Sequence, residues 1–314
     1  MTEVSDSSLL EGKVAVITGA GNGIGRAAAL EFARRGAKVV VNDLGAAISG
    51  KESDAAVAQL VADEITAVGG QAVANTGSVS DPATADEIVR LAIDSFGRID
   101  VVVNNAGNVR FSPFDQMVLD DFDSLIKVHL YGSFLVARAA APYFRDQGSG
   151  SYIHMSSAAG LVGNRGNANY SSAKLGIAAL SKSIAFDMQD YGVRSNCIAP
   201  SAYSRMTDAV DAQRREKFAQ NAAIVPLRDR QGRVEQVVPL VTYLASDLSK
   251  DVTGQIFGVR GSEIYLYSQP RPIRTLHRNG GWTPEALVNM EKSWRSSFVP
   301  LETYQDVFSW DPVH

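Results

Sequence analysis

The fold is decided where an apolar strand runs directly into a glycine-rich turn and a helix, in the stretch Val14-Ala-Val-Ile-Thr18-Gly19-Ala-Gly-Asn22-Gly23-Ile24-Gly25. Glycine allows the backbone to turn sharply, and the free N–H groups at the start of a helix favour a phosphate there. A strand, a glycine-rich turn and a helix in this order predict a pyrophosphate-binding element. The alternative interpretation is a tight turn with no ligand.

Seven short runs rich in Val and Ile recur at wide intervals along the chain. They are continuously apolar rather than alternating, which is typical of parallel strands covered on both faces, and the segments between them have helical periodicity. The sequence therefore predicts an α/β fold with helices on both faces of a parallel sheet. The predicted strands lie at Val14 to Ile17, Val39 to Val41, Ala72 to Ala74, Val101 to Val103, Tyr152 to Met155, Cys197 to Ile198 and Ile256 to Val259.

Two of the predicted helices can be described in more detail. Leu60, Ile65 and Val68 are expected on the buried face of the second helix. Asp81-Pro82 is typical of an N-cap followed by proline in the first helical position, and Gly97 is expected to end that third helix.

Composition restricts the class of protein. The chain has 314 residues and 30 basic against 34 acidic side chains, so its net charge is −4. This charge does not favour nucleic acid or an anionic membrane as a partner. No apolar run approaches the roughly 18 residues that a membrane helix needs. The four histidines show no metal-ligand spacing, so no metal is expected.

Cysteine content and the N-terminus bear on the compartment. Cys197 is the only cysteine and forms no internal disulfide, and residues 1–8 are acidic and polar, unlike a signal peptide. These features predict a cytoplasmic protein. We expect one domain over residues 1–314, with a core at 10–260 and a C-terminal extension at 261–314. The charged stretch at 207–233 is predicted to be a helical lid.

An acid follows the second predicted strand, 24 residues after Gly19. The carboxylate of Asp43 can accept hydrogen bonds from both hydroxyls of an adenosine ribose and would repel a 2′-phosphate, so it favours NAD over NADP. Its alternative role is that of a solvated loop acid. Asn104-Asn105-Ala106-Gly107 follows the fourth strand, where small side chains leave room for a cofactor at the carboxyl edge of the sheet.

A phenol and an ammonium lie one helical turn apart in Tyr170-Ser-Ser-Ala-Lys174. A nearby cation favours the phenolate, so Lys174 is expected to lower the pKa of Tyr170 and make it a usable acid and base. Ser157 comes just after the fifth strand, where its hydroxyl could donate to the same carbonyl or alkoxide. Without Ser157, the Tyr-Lys pair would be an ordinary surface pair.

Four motifs in this order and spacing resemble those of the short-chain dehydrogenase/reductase family: Thr18-Gly19-x-x-x-Gly23-x-Gly25, Asn104-Asn105-Ala106-Gly107, Ser157 and Tyr170-x-x-x-Lys174. The resemblance covers about residues 10 to 260 and implies a Rossmann-like, doubly wound sheet of seven parallel strands in the order 3-2-1-4-5-6-7. It implies reversible hydride transfer at a secondary alcohol or ketone. Tyr170 would be the acid and base, Ser157 would orient the substrate, and Lys174 would modulate the phenol and bind ribose. The residues expected at the cofactor are Gly19, Asn22, Gly23, Ile24, Asp43, Ser78, Val79, Asn105, Ala106, Gly107, Tyr170, Lys174 and Pro200.

Further motifs are similar to the (3R)-hydroxyacyl-CoA dehydrogenase branch of the family, typified by the dehydrogenase part of peroxisomal multifunctional enzyme type 2. They are Val41-Asn-Asp43-Leu-Gly45, Lys127-Val-His129-Leu-Tyr-Gly132, Ala168-Asn-Tyr170, Ser204-Arg-Met-Thr207 and Trp282-Thr-Pro-Glu-Ala. This resemblance implies a hydrophobic substrate, either a hydroxyacyl-CoA ester or a steroid-type alcohol or ketone. It also implies a homodimer or homotetramer, with contact faces on helices around 118–146 and 167–191.

The chain departs from these patterns in two places. His129 stands where many family members carry Asn, which puts the usual proton-relay water in doubt. Gly77 stands where the related dehydrogenase carries an acid before Ser78-Val79, so adenine contacts there would rest on Ser78 and the backbone.

Several residues and the activity itself keep alternative interpretations. Arg271, Arg274 and Arg278 could bind CoA phosphates or form a solvated basic loop, and Trp282 and Trp294 could line the pocket or pack the extension. An NADP-dependent ketone reductase would use the same chemistry in the other direction. A catalytically silent nucleotide-binding scaffold would not need Ser157, Tyr170 and Lys174 together.

Overall fold

The computed structural model describes residues 8–46, 56–203, 207–208, 232–311 and 313. The predicted lid at 207–233 lies almost entirely outside the described residues, and so does the Ser204-Arg205-Met206 part of the motif above.

One sheet organises the described residues. Its strand order is β3-β2-β1-β4-β5-β6-β7-β8. The first seven strands are parallel, and β8 is antiparallel to β7. The predicted α/β fold and the strand order 3-2-1-4-5-6-7 are confirmed. The strands are β1 (Val14–Thr18), β2 (Lys38–Asn42), β3 (Gln71–Asn75), β4 (Val101–Asn104), β5 (Gly150–Met155), β6 (Val193–Ser201), β7 (Ile256–Arg260) and β8 (Glu263–Leu266).

Helices cover the sheet and continue into the C-terminal extension. A π-helical segment, Ile126–Tyr131, joins α4 to α5 without a break. The α-helices among the described residues are α1 (Gly23–Arg34), α2 (Ala56–Ala67), α3 (Pro82–Phe96), α4 (Leu119–Leu125), α5 (Gly132–Gln147), α6 (Ala158–Leu161), α7 (Ala168–Met188), α8 (Val238–Ala245), α9 (Pro284–Trp294) and α10 (Tyr304–Val307). No helix in these ranges is both long and apolar enough to span a membrane.

Successive strand residues point to opposite faces, and both faces are buried. In β2, Val39 and Val41 pack with Phe32 of α1 in one apolar cluster. Val40 between them packs in a second cluster with Phe144 of α5. A strand covered on both faces needs apolar residues at every position, which explains the continuous Val and Ile runs.

The predicted ends of α3 are present, and the predicted inner face of α2 is partly wrong. The side chain of Asp81 caps α3 by accepting a hydrogen bond from the Thr84 N–H at 2.8 Å. Gly97 ends that helix in the left-handed region, at φ 80°. In α2, Ile65 is buried, but Leu60 and Val68 are 64% and 83% exposed. The buried positions of α2 are Ala58, Val61, Ala62 and Ile65, so its inner face is built from smaller side chains than we expected.

The eighth strand was not among the predicted strands. β7 and β8 are joined by the two residues Gly261-Ser262, and Arg260 pairs with Glu263 across the turn. A two-residue Gly-Ser loop between strand-like runs is a hairpin signal that could have predicted this strand. β8 therefore extends the sheet into the C-terminal extension.

Candidate active site

The glycine-rich turn between β1 and α1 packs closely against the residues that follow β4. A Cβ on Gly19, which has φ 63°, would lie 2.7 Å from the Cα of Ala106, and a Cβ on Gly25 would lie 2.3 Å from the carbonyl oxygen of Gly19. Gly23 has φ 55°, and a Cβ there would meet no atom within 4 Å. The turn is thus tight on the protein side and open beside Gly23, at the start of α1. Asn22 precedes α1 without making a side-chain cap.

Polar side chains fasten this turn to the end of β4. The hydroxyl oxygen of Thr18 accepts hydrogen bonds from the backbone N–H groups of Asn105 at 3.0 Å and Ala106 at 3.1 Å. In return, Nδ2 of Asn105 donates to the carbonyl oxygens of Thr18 and Gly19, both at 3.0 Å. The two loops that are expected to hold the cofactor therefore form one hydrogen-bonded unit at the carboxyl edge of the sheet.

Asp43 lies at the carboxyl end of β2, beside the glycine-rich turn. Its Oδ2 accepts a hydrogen bond from the Gly21 N–H at 2.8 Å, and its Oδ1 accepts one from the Gly45 N–H at 2.7 Å. Each carboxylate oxygen has a second lone pair for a further donor. A carboxylate with this capacity, next to an open turn at a helix start, fits the ribose and pyrophosphate of a nicotinamide dinucleotide.

The end of β3 is held by the buried side chain of Asn42. Its Nδ2 donates to Asn75 Oδ1 and to the carbonyl oxygen of Gly77, both at 2.9 Å. A Cβ on Gly77 would lie 2.0 Å from Cγ2 of Thr84, so this position has no room for the acid that the related dehydrogenase carries. Ser78 Oγ lies 2.8 Å from Ser80 Oγ. The polar groups that this segment offers beside Gly77, where adenine contacts were expected, are the hydroxyl and the backbone of Ser78.

Ser157 and Tyr170 come from neighbouring helices. Ser157 caps α6 and accepts a hydrogen bond from the Ala159 N–H at 3.2 Å. Tyr170 is in the first turn of α7. Burial raises the pKa of the Tyr170 phenol, and a hydrogen bond with the Ser157 side chain partly offsets this rise. The side chains of Ser157 and Tyr170, which were expected to face one carbonyl, therefore interact electrostatically.

Asn169 fixes the start of α7, and the sequence interpretation gave it no role. Its Nδ2 donates to the carbonyl oxygens of Arg110 at 2.9 Å and Asp121 at 3.0 Å. Its Oδ1 accepts the backbone N–H of Tyr170 at 2.8 Å. This fully buried amide ties the helix that carries the phenol to the segments after β4.

Lys174 lies one turn after Tyr170 and is only 5% exposed. Its Nζ donates to the carbonyl oxygen of Met155 at 2.6 Å and lies 5.5 Å from the centroid of the Tyr170 ring. Burial lowers the pKa of Lys174 to about 7. The net pKa of Tyr170 is raised rather than lowered in this geometry, because burial raises it by more than the Ser157 hydrogen bond lowers it.

His129 lies in the π-helical segment, behind the phenol. Its ring meets the Tyr170 ring edge to face, with centroids 5.3 Å apart, and its Nε2 lies 2.8 Å from the carbonyl oxygen of Asn108. Burial, and secondarily the charge of Lys174, lower the pKa of His129 to about 3, so the imidazole is neutral. A Cβ on Gly107 would lie 2.3 Å from Cε1 of His129, so the glycine of the Asn-Asn-Ala-Gly motif makes room for this ring.

The remaining candidates fall into buried and exposed groups. Cys197 is buried in β6, and burial raises its pKa to about 12, as suits a core residue. Pro200 is near the carboxyl end of β6 and pairs with Val259. Ile24 is half-buried in the first turn of α1, and Val79 is 6% exposed after β3. Exposed residues of the extension are Arg271, Arg274, Arg278 and Trp282, whereas Trp294 is half-buried.

Comparison with known proteins agrees with this geometry. The family described as Enoyl-(Acyl carrier protein) reductase matches residues 19–261. The hydroxyacyl-CoA dehydrogenase ChsB1 of Mycobacterium tuberculosis is 41% identical over 308 residues, which cover 94% of this chain and 92% of that protein. The peroxisomal hydratase-dehydrogenase-epimerase of Neurospora crassa is 42% identical over 285 residues, but this chain spans only 30% of its length.

A solved structure gives the same result at the level of the fold. The crystal structure of a short chain dehydrogenase from Mycobacterium avium matches with a TM-score of 0.80 and 40% identity, over 93% of this chain and 98% of that one. The chain therefore belongs to the short-chain dehydrogenase/reductase family of oxidoreductases, which act on CH–OH groups with a nicotinamide cofactor.

Proposed function

We propose that this protein is an NAD-dependent dehydrogenase that interconverts the hydroxyl and keto forms of a 3-hydroxyacyl-CoA ester. The observation that carries the proposal is the grouping of Ser157, Tyr170 and the buried Lys174: Lys174 Nζ lies 5.5 Å from the Tyr170 ring centroid, and the Ser157 side chain lowers the Tyr170 pKa. The printed name of the Mycobacterium tuberculosis relative, a hydroxyacyl-CoA dehydrogenase, supports the substrate class.

The choice of NAD rests on Asp43. Its carboxylate lies beside the glycine-rich turn, with lone pairs left for the two ribose hydroxyls. A 2′-phosphate in that place would meet a negative charge, which disfavours NADP. The side chain of Arg26, the basic group in the first turn of α1, pairs with Glu64 and leaves Asp43 without a competing positive charge from that residue.

In the proposed mechanism Tyr170 Oη exchanges one proton with the hydroxyl group of the substrate. Tyr170 Oη, as phenolate, would remove the hydroxyl proton of the substrate during oxidation and return it during reduction. This phenolate forms against the burial that raises the Tyr170 pKa, so the mechanism needs the positive charge of a protonated Lys174 beside it. Ser157 Oγ donates a hydrogen bond to the same substrate oxygen, and Lys174 supplies positive charge near the phenolate. The bound nicotinamide ring supplies the acceptor for the hydride that leaves the substrate carbon.

The partners and the compartment follow from the same proposal. Arg271, Arg274 and Arg278 are exposed cations of the extension that would bind CoA phosphates, because guanidinium groups pair well with phosphate oxygens. We propose a homodimer or homotetramer with α5 and α7 as contact faces. A cytoplasmic location stays a prediction, since one relative described above is named as peroxisomal.

The test is a substrate screen with the full-length protein, following nicotinamide absorbance. We expect turnover of 3-hydroxyacyl-CoA esters with NAD that exceeds turnover with free steroids, simple alcohols or NADP. Tyr170→Phe should reduce kcat by about 10² to 10⁴, the usual contribution of a positioned acid and base. Tyr143→Phe, at an exposed tyrosine of α5, is the matched control and should keep full activity. Full turnover by Tyr170→Phe, or none with any CoA ester, would contradict the proposal.

A further inference from the structure

The end of the C-terminal extension returns to the body of the protein. We call residues 303–310 the terminal segment. The buried guanidinium of Arg260, at the end of β7, donates to the carbonyl oxygens of Phe308 at 3.3 Å and Trp310 at 2.8 Å. It also lies 4.8 Å from the Trp310 ring centroid, and Trp310 Nε1 donates to Glu263 Oε1 at 2.8 Å. The terminal segment is therefore firmly attached to the edge of the sheet.

From this anchor, the terminal segment contacts the loop at 162–167. The backbone N–H of Tyr304 donates to the carbonyl oxygen of Gly163 at 3.1 Å. Charge adds to this contact, because the positive charge of Arg165 contributes, after hydrogen bonds from Thr303, to a lowered pKa of Asp306. The loop thus contributes a positive charge, Arg165, and the terminal segment a negative charge, Asp306, near the Tyr304–Gly163 hydrogen bond.

The 162–167 loop connects the two hydroxyls of the active site. It begins after α6, which Ser157 caps, and ends at α7, which carries Tyr170. On its other side the loop is held at Gly166, whose carbonyl oxygen accepts a hydrogen bond from the Ser112 N–H at 3.0 Å. A Cβ added at Gly166 would collide with the Phe111 ring, so the loop packs closely there. The loop is thus held between the segment after β4 and the terminal segment.

We propose that Tyr304 is a positioning residue for substrate selection: through its backbone N–H, the terminal segment fixes the 162–167 loop, which borders the acyl part of the substrate. The inference rests on the proposed function and assigns the C-terminal extension a role in specificity. Because the loop joins the helix that Ser157 caps to the helix that carries Tyr170, an acyl chain leaving the reacting carbon between these two hydroxyls would run along it, and a long chain would cover more of it than a short one. A loose loop would then weaken the binding of long substrates first. The chemical step at Tyr170 should be affected little.

The N–H of Tyr304 can be removed by one substitution with small side effects. Tyr304 is the first residue of α10, a position where proline is well tolerated because its missing N–H has no partner within the helix. Thr303 before it has φ −82° and ψ 163°, a conformation that a following proline favours. Tyr304→Pro therefore removes the donor, and Tyr304→Ala removes the side chain alone and keeps the donor.

The decisive comparison is between these two variants. We expect Tyr304→Pro to raise KM for a long-chain 3-hydroxyacyl-CoA by about fivefold over Tyr304→Ala, the effect of one lost hydrogen bond. The kcat, the KM for NAD and the KM for a short-chain ester should change less than about twofold. Backbone amide exchange of residues 158–168 should be faster in Tyr304→Pro at an unchanged melting temperature.

The role of the Tyr304 N–H and the proposed function can fail separately. Equal KM values for the two variants would overturn the inference, as would equal losses for long and short esters together with a lower kcat. If the wild-type protein oxidises no CoA ester, the proposed function fails on its own. The amide-exchange comparison of Tyr304→Pro with Tyr304→Ala needs no substrate. Faster exchange confined to the 162–167 loop in Tyr304→Pro would still support the role of the Tyr304–Gly163 hydrogen bond in holding this loop.

Discussion

Lys174 carries an ammonium group in a site with almost no solvent. Its pKa falls to about 7, well below the value near 10.4 of an exposed lysine. Between these two values the unfolded chain holds a proton that the folded chain has lost. Stability therefore rises with pH over this range, because the unfolded state binds more protons.

Replacing Lys174 with methionine should abolish the rise in stability with pH that its ammonium group causes. We expect the melting temperature of the wild type, relative to that of Lys174→Met, to increase between pH 7 and pH 8.5. Above this window Cys197, whose pKa is raised to about 12, has the opposite effect, since the folded state then keeps a proton that the unfolded thiol loses. Lys250→Met, at an exposed lysine, should follow the wild-type curve. Parallel curves for wild type and Lys174→Met would contradict the assignment.

Asp43 should decide between the two nucleotides by its charge. Asp43→Asn keeps the shape of the side chain and one oxygen acceptor but removes the negative charge. We expect its Kd for NAD to rise at least about tenfold, as for a lost hydrogen bond to a charged group, and its preference for NAD over NADP to shrink. Titration calorimetry with both nucleotides measures this. An unchanged ratio of the two Kd values would remove Asp43 from the recognition of the ribose.

The positions that the sequence could predict are those set by local spacing. Tyr170 and Lys174 are one turn apart in any α-helix, and Asp43 ends a strand beside the glycine-rich turn in any βαβ unit. The neutral state of His129 and the two carbonyl partners of Asn169 were not predictable. They depend on burial and on contacts between distant segments, which no local pattern contains.

At the scale of elements, the π-helical segment and the loop after β4 fit each other at one point. A Cβ on Gly107 would lie 2.3 Å from the buried ring of His129. Gly107→Ala alone should cost about 1–3 kcal/mol of unfolding free energy, the usual range for overpacking. His129→Ala removes the obstructing ring, so the double variant should be more stable than the sum of the two single effects indicates.

Denaturant unfolding of the wild type and these three variants measures the coupling. We expect a coupling energy above about 0.5 kcal/mol, with the double variant more stable than the sum of the two single effects indicates. Additive effects would show that the alanine is accommodated without displacement of the ring.

The elements that the sequence predicted less well also depend on tertiary contacts. The seven parallel strands are visible as apolar runs because helices cover both faces of the sheet, most completely at the central strands. β8 has half-buried residues alternating with exposed ones and only four residues, so its pattern is weak. Leu60 and Val68 are exposed because of their position rather than their size. The buried residues of α2 lie at the i, i+3, i+4, i+7 spacing of one helix face (Ala58, Val61, Ala62 and Ile65), Leu60 lies off that face, and Val68 follows the end of the helix.

At the scale of the whole molecule, the two layers of helices leave apolar side chains exposed on α5 and α7. Phe134 on α5 is 44% exposed, and Leu175 and Phe186 on α7 are 51% and 64% exposed. Leu175 and Phe186 are eleven residues apart, about three turns, so they lie on the same face of α7. Large apolar side chains exposed on neighbouring helices are typical of an interface between subunits.

A symmetric pair of subunits would bury this face against its own copy. We expect the wild-type protein to have at least the mass of a dimer by light scattering, and Phe186→Glu to shift the population toward the monomer, because the interface would then bury an unpaired carboxylate. Leu60→Glu is a matched control, since Leu60 is also 64% exposed but lies on α2, against the other face of the sheet. A monomeric wild type, or equal masses for wild type and Phe186→Glu, would contradict the assignment of this face.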